Sequence, residues 1–244
     1  VYLLSHLSIL WKNTELVEES EKILSNILSI IKEDSSLDIL SGSSGCILSA
    51  LSYAKINNST KAKKVIKICA DHLITKDENN KQRWMSCEYQ RGFSHGYSGI
   101  AMSLFLAGKF LKKEKYINES LKIIDIENSL IKNNQWTDTH KINGRSQVSW
   151  CHGAPGIAMS RLTIYDINKS EKLYTDIQKS LNEIIKHYWM PSHCLCHGTL
   201  GNLEPLLIAK NYSEFNDLTK ETKSLFDIAL TNIINEGWKS LMPN

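Results

Sequence analysis

A Gly-x-x-Gly step that recurs four times restricts the fold more than any other feature of this sequence. The four are Gly42-Ser43-Ser44-Gly45, Gly96-Tyr97-Ser98-Gly99, Gly153-Ala154-Pro155-Gly156 and Gly198-Thr199-Leu200-Gly201. Each opens a run that is apolar or small on nearly every face, over residues 46–54, 100–110, 157–165 and 202–209. Between these runs lie amphipathic stretches, 14–33, 60–74, 115–131, 171–188 and 218–234, with apolar residues at helical spacing and charges opposite. Successive first glycines are 54, 57 and 45 residues apart, and self-similarity at such a period marks a repeat architecture. A helix apolar all round is a buried helix, and an amphipathic one can cover it. Each unit therefore reads as a helical hairpin with one inner and one outer helix. The expected class is all-α: an α/α toroid, with an open α-solenoid as the alternative.

Finer signals agree. Strand signals are nearly absent, because β-branched residues fall at helical spacing and do not alternate. Glycine suits a tight turn where the chain enters an inner helix close to its neighbours. Pro155 suits a first helical turn, where no N–H is missed. Residues 1–12 read as the end of a buried helix, as in a fragment. The net charge of +3 over 244 residues calls for neither nucleic acid nor a membrane surface, and no apolar run approaches the ~20 residues of a membrane span. The start, Val1 to His6, lacks the charged region and cleavage site of a signal peptide. Six cysteines in a helical chain of this length point to a reducing cytoplasmic compartment and not to a disulfide framework. Cys46 and Cys69 read as core residues, and Cys87 has no assignment.

If the repeats share an axis, matched positions stand at one level. One residue before the first glycines are Ser41, His95, His152 and His197; two before are Leu40, Ser94, Cys151 and Cys196; Asp38 lies four before Gly42. Two thiols, three imidazoles and a carboxylate would gather at inner-helix N-termini, whose dipoles favour thiolate. Zinc takes Cys and His, and its catalytic sites use three protein ligands with one position open. Cys151, Cys196 and His197 are the expected ligands, with His152 the alternative third or fourth. Cys194 is expected to pack or lie near the site. His95 is a candidate general acid or base, because imidazole titrates near working pH. Asp38 joins it through the register; His6, His72, His140, His187 and His193 read as surface or core histidines.

The ordered series from Asp38-Ile39-Leu40-Ser41-Gly42 through Ser94-His95-Gly96 and Trp150-Cys151-His152-Gly153-Ala154-Pro155-Gly156 to Cys196-His197-Gly198 resembles the lanthionine synthetase cyclase (LanC-like) family. The Trp-Cys-His-Gly-Ala-Pro-Gly form is most similar to the C-terminal cyclase domain of bifunctional class II lanthipeptide synthetases. The resemblance implies an α/α toroid, here an incomplete part of a seven-hairpin ring lacking the first and last repeats, over residues 1–244. It implies zinc on Cys151, Cys196 and His197, with His95 and Asp38 as acid/base residues. It also implies addition of peptide Cys thiols to dehydroalanine or dehydrobutyrine in a precursor peptide, and a dehydratase domain in the full-length chain. Free-standing members carry an Arg four residues before the first zinc Cys; here that place is Gln147, with Arg145 nearby. Other readings are a zinc-bearing thiol- or peptide-binding protein of the same fold, a carbohydrate-active toroid, and a helical scaffold without metal. The carbohydrate reading needs paired carboxylates, and Asp38 alone stands at a motif position.

Overall fold

Each glycine pair stands at the entrance to a helix in the computed structural model, which describes residues 1–76, 79–86, 92–131, 136, 141–142, 145–146 and 148–240. Cys87, His140 and Gln147, singled out above, lie outside the described residues. The inner helices are α3 (Ser43–Asn57), α5 (Tyr97–Leu111), α7 (Ala154–Tyr165) and α9 (Thr199–Ala209). They alternate with α2 (Glu15–Ile30), α4 (Thr60–Ile74), α6 (Glu114–Ser129), α8 (Glu171–His187) and α10 (Thr219–Glu236), and α1 (Tyr2–Leu10) precedes them. Gly42, Gly153 and Gly198 are the N-cap residues of α3, α7 and α9, and Pro155 lies in the first turn of α7, as the repeat predicts.

The chain divides into two units. The first comprises Val1–Glu88 and Gly99–Asp125. In it α3 packs on α4, α2 against α4, and α1 against α2 and α3. Leu24, Ile47, Val65, Ile66 and Leu73 are fully buried there. Burying such side chains is the main source of stability in a hairpin, at about 1.5–3 kcal/mol each. Ser59 caps α4 by accepting the Ala62 N–H at 3.1 Å. Cys69 is a core residue as expected and Cys46 is half-buried. The second unit comprises Tyr89–Ser98 and Ile126–Asn244. There α7 packs on α8 and α9, and α10 covers α9. Ile157, Ile164, Ile177, Leu181 and Leu203 form its buried core.

One expectation needs correction. α1 is not a buried helix: Tyr2, Leu3, Ile9, Leu10 and Trp11 are all more than half exposed. Ser5 and Ser8 face inward instead, their hydroxyls donating to the Tyr2 and Ser5 carbonyls at 2.7 Å. Small side chains let α1 lie close to α2 and α3, which turns its bulky residues outward. Strand structure among the described residues is one short ladder, in keeping with the nearly absent strand signals. β1 (Lys141–Ile142) pairs antiparallel with β2 (Arg145–Ser146) in the connection before α7. A polar connection must still satisfy its backbone groups, and a two-residue ladder does so locally without any strand-like side-chain pattern.

Candidate metal centre

α7 and α9 bring their preceding Cys-His pairs to one place. Cys151 Sγ, Cys196 Sγ and a ring nitrogen of His197 all lie within 4.8 Å of one another. The Cys151 sulfur is 2.9 Å from His197 Nε2 and 3.5 Å from the Cys196 carbonyl oxygen. Cys151 is buried, while Cys196 and His197 are half-buried.

The backbone that presents these groups is held by two serines. The Ser149 hydroxyl donates to the His152 carbonyl at 3.1 Å and lies 3.4 Å from the Cys151 sulfur. The Ser192 hydroxyl donates to the His197 carbonyl at 3.3 Å and lies 3.3 Å from Cys194 Sγ. Both serines are fully buried. Each pins the histidine carbonyl of its Cys-His pair, which leaves side chains free to face the cluster. Sequence reasoning did not single them out. Their signal is a serine just upstream of each Cys-His pair, at unequal offsets, which a register count passes over.

Gly92 brings His95 to the same neighbourhood. Its φ of 105° is one that side-chain-bearing residues rarely adopt, and a Cβ there would lie 2.7 Å from the Cys151 carbonyl oxygen. Beyond it, the Phe93 and Ser94 N–H groups both donate to that carbonyl at 3.2 Å. The half-buried His95 ring then stacks on His152, centroids 5.6 Å apart, and His152 lies 6.5 Å from His197. Cys194 is near the cluster but is not one of its three donors. Asp38 belongs to the other unit. There its carboxylate accepts the Ser41 N–H at 2.8 Å and the Ser41 hydroxyl at 3.3 Å, and it is 7% exposed. Among the remaining histidines, His193 is buried and accepts the Lys239 N–H at 2.9 Å on Nδ1. His72 Nε2 lies 2.9 Å from the Asp34 carbonyl.

Burial dominates the electrostatics of the cluster. It pushes the Cys151 thiol up to about 12, against a lowering by the Ser149 hydroxyl. It raises the Cys196 thiol, and it lowers His197 together with the nearby His95 charge. Desolvation of the two sulfurs therefore opposes the thiolate form that inner-helix N-termini are expected to favour. A helix end supplies only a partial charge, whereas burying an anion costs several kcal/mol. Two thiols and an imidazole that resist charging by themselves are the donor set a divalent cation ionises and holds, and their chemistry fits zinc.

Helical hairpins that gather two thiols and an imidazole at inner-helix entrances define an all-α protein with a site able to hold a metal. The model of the lanthionine synthetase C-like protein family matches residues 1–244, and the chain belongs to that family. It is 29% identical over 216 residues to the lacticin 481/lactococcin biosynthesis protein LcnDR2 of Lactococcus lactis subsp. lactis, covering 82% of this chain and 22% of that protein. Among solved structures it is similar to nisin cyclase, with a TM-score of 0.67 and 19% identity, covering 91% of this chain and 63% of that one. That likeness shows the fold, the α/α toroid class read from the hairpin repeat. The chain thus spans about a fifth of the curated relative and under two thirds of the solved one. Among the described residues, no helix is long and apolar enough to cross a membrane.

Proposed function

We propose that the chain is a zinc-dependent lanthipeptide cyclase domain. It would close thioether rings by adding Cys thiols of a dehydrated precursor peptide to dehydroalanine or dehydrobutyrine. The observation that carries this reading is the convergence of Cys151, Cys196 and His197 within 4.8 Å, with His95 stacked beside them through His152. Family membership and the likeness to a protein called a cyclase support it.

Cys151, Cys196 and His197 would hold the ion. A bound zinc supplies the means to keep a coordinating thiol as thiolate at neutral pH. The rest falls to the protein. The substrate thiol gives up its proton, its sulfur bonds to the alkene β-carbon, and the C=C pair moves to an enolate. The α-carbon then takes a proton, so the product has the mass of the substrate with one free thiol fewer. His95, half-buried beside the cluster, takes the thiol proton or delivers the α-carbon proton. Asp38 keeps the second acid/base role that its motif position implies. His152 lies between His95 and His197 and stacks on the His95 ring. The reducing cytoplasm is the compartment in which the two ligand thiols stay reduced.

The domain would be part of a longer cyclase, with further hairpins and a dehydratase half elsewhere in the full-length chain. The exposed Leu10 at the end of α1, Trp11 just after it, and Ile228 and Ile234 on α10 are faces suited to such neighbours. The test is incubation with a dehydrated precursor peptide, followed by thiol alkylation and mass spectrometry. Loss of alkylation without mass change, abolished together with zinc by Cys151→Ala, is the expected result. Zinc-loaded protein that binds the peptide yet leaves every thiol free overturns the cyclase reading.

A further inference from the structure

A charged cluster with no part in the chemistry above lies behind the His95 segment, buried in the same unit. Glu127 and Arg161 have no solvent exposure, and Asp176 has 4%. Burying three charges is costly unless they are paired and fully hydrogen-bonded, and replacing such groups with apolar ones often stabilises a protein. Arg161 also sits in α7, an inner helix whose other residues are apolar or small. An arrangement that is expensive for stability invites another explanation, and its hydrogen bonds supply one.

The Glu127 carboxylate accepts from both ends of the segment that carries His95. One oxygen takes the Gly92 N–H at 3.2 Å, and the other takes the Ser98 hydroxyl at 2.6 Å. Arg161 holds that second oxygen through Nη2 at 2.7 Å and reaches Ser98 Oγ through Nη1 at 3.3 Å. The neighbouring Ser160 hydroxyl donates to the Ser98 carbonyl at 2.7 Å. Asp176 touches only the far side: its carboxylate lies 3.5 Å from Arg161 Nε and accepts from Asn128 Nδ2 at 2.7 Å. The segment 92–98 is thus clamped at both ends by one carboxylate, while its middle rests on the Cys151 carbonyl through Phe93 and Ser94.

We propose that Glu127, locked by Arg161, is a positioning residue that sets where the His95 imidazole stands relative to Cys151. This rests on the cyclase reading above. A clamp on both ends of a short segment fixes its centre, and a displacement near 1 Å at a reacting group can cost on the order of 100-fold in rate.

Glu127→Gln and Asp176→Asn each remove one negative charge from the cluster and leave Arg161 one carboxylate. Only Glu127 touches the His95 segment. In the zinc-loaded chain, Glu127→Gln is expected to lower kcat on the order of 100-fold, with KM within about twofold and zinc content unchanged. Asp176→Asn should keep kcat within about threefold of the wild type. Amide hydrogen exchange adds a readout independent of turnover: Phe93 and Ser94 should exchange faster in Glu127→Gln and not in Asp176→Asn. Ser98→Ala leaves every charge in place and should move both readouts the same way by a smaller factor, which keeps a test available if Glu127→Gln does not fold. Equal losses in the Gln and Asn variants, or unchanged exchange at Phe93 and Ser94, overturn the proposal. A wild type that does not cyclise removes the cyclase reading and leaves the exchange comparison to judge the clamp.

Discussion

The entrance to α3 and the entrances to α7 and α9 are the same backbone device used for different ends. At α3 the two places before Gly42 hold Leu40, 60% exposed, and Ser41. The polar work there is done by a carboxylate turned onto the chain itself. Asp34 accepts the Ser36 and Leu37 N–H groups at 3.0 and 3.1 Å and the Ser43 N–H at 2.8 Å. At α7 and α9, among the described residues, serines pin the backbone carbonyls, and sulfur and imidazole face one another. A repeat fixes the turn and the helix direction. Two side chains ahead of the glycine decide whether the turn closes on itself or presents donors to a third party.

Breaking the second kind of entrance should have the largest effect. Cys196→Ala is expected to bring bound zinc and thiol consumption to background together while the chain stays folded, read by metal analysis and far-UV circular dichroism. His95→Asn should retain zinc and lower turnover by about 10²–10⁴-fold, the usual worth of a positioned acid or base; full turnover would remove His95 from the chemistry. Breaking the first kind should act on stability instead. Asp34→Ala strands the part-buried Ser43 N–H and should cost about 1–3 kcal/mol in urea unfolding, with zinc content retained. A zinc loss on that substitution would end the division of labour between the two kinds of entrance.

The smallest effect lies on an outer helix. Burial opposes the charge on Asp71, but Lys115, Lys67 and the Tyr116 hydroxyl outweigh it and bring its carboxyl to about 2. Lys115 Nζ lies 2.6 Å and Lys67 Nζ 2.7 Å from its oxygens, with both lysines more than half exposed. Because the folded value is depressed, the stabilisation is present above the ordinary value of 3.8 and is lost as pH falls through about 2. Asp71→Asn should therefore cost under about 1 kcal/mol at neutral pH, and its gap from the wild type should close over that acid window in urea titrations. A gap that persists at pH 2 would assign the loss to packing.

Helix existence and polarity were legible because they follow from local pattern. The amphipathic stretch 60–74 is α4 to the residue, and the first glycines cap α3, α7 and α9. The gathering of Cys151, Cys196 and His197 was legible too, through a register count that treats the repeats as equivalent. Burial and long-range hydrogen bonding were not. The register could not see that α1 turns Ser5 and Ser8 inward, or that burial pushes the Cys151 thiol up. Glu127 carries no signal in a charged outer helix, and only its contacts with Gly92 and Ser98, about thirty residues upstream, give it meaning. The sequence alone determined the hairpin repeat and the chemical types at its entrances, since both depend on neighbours a few residues apart. Tertiary structure decided which of those groups meet and how readily they ionise, since distance and desolvation arise only once the helices have packed.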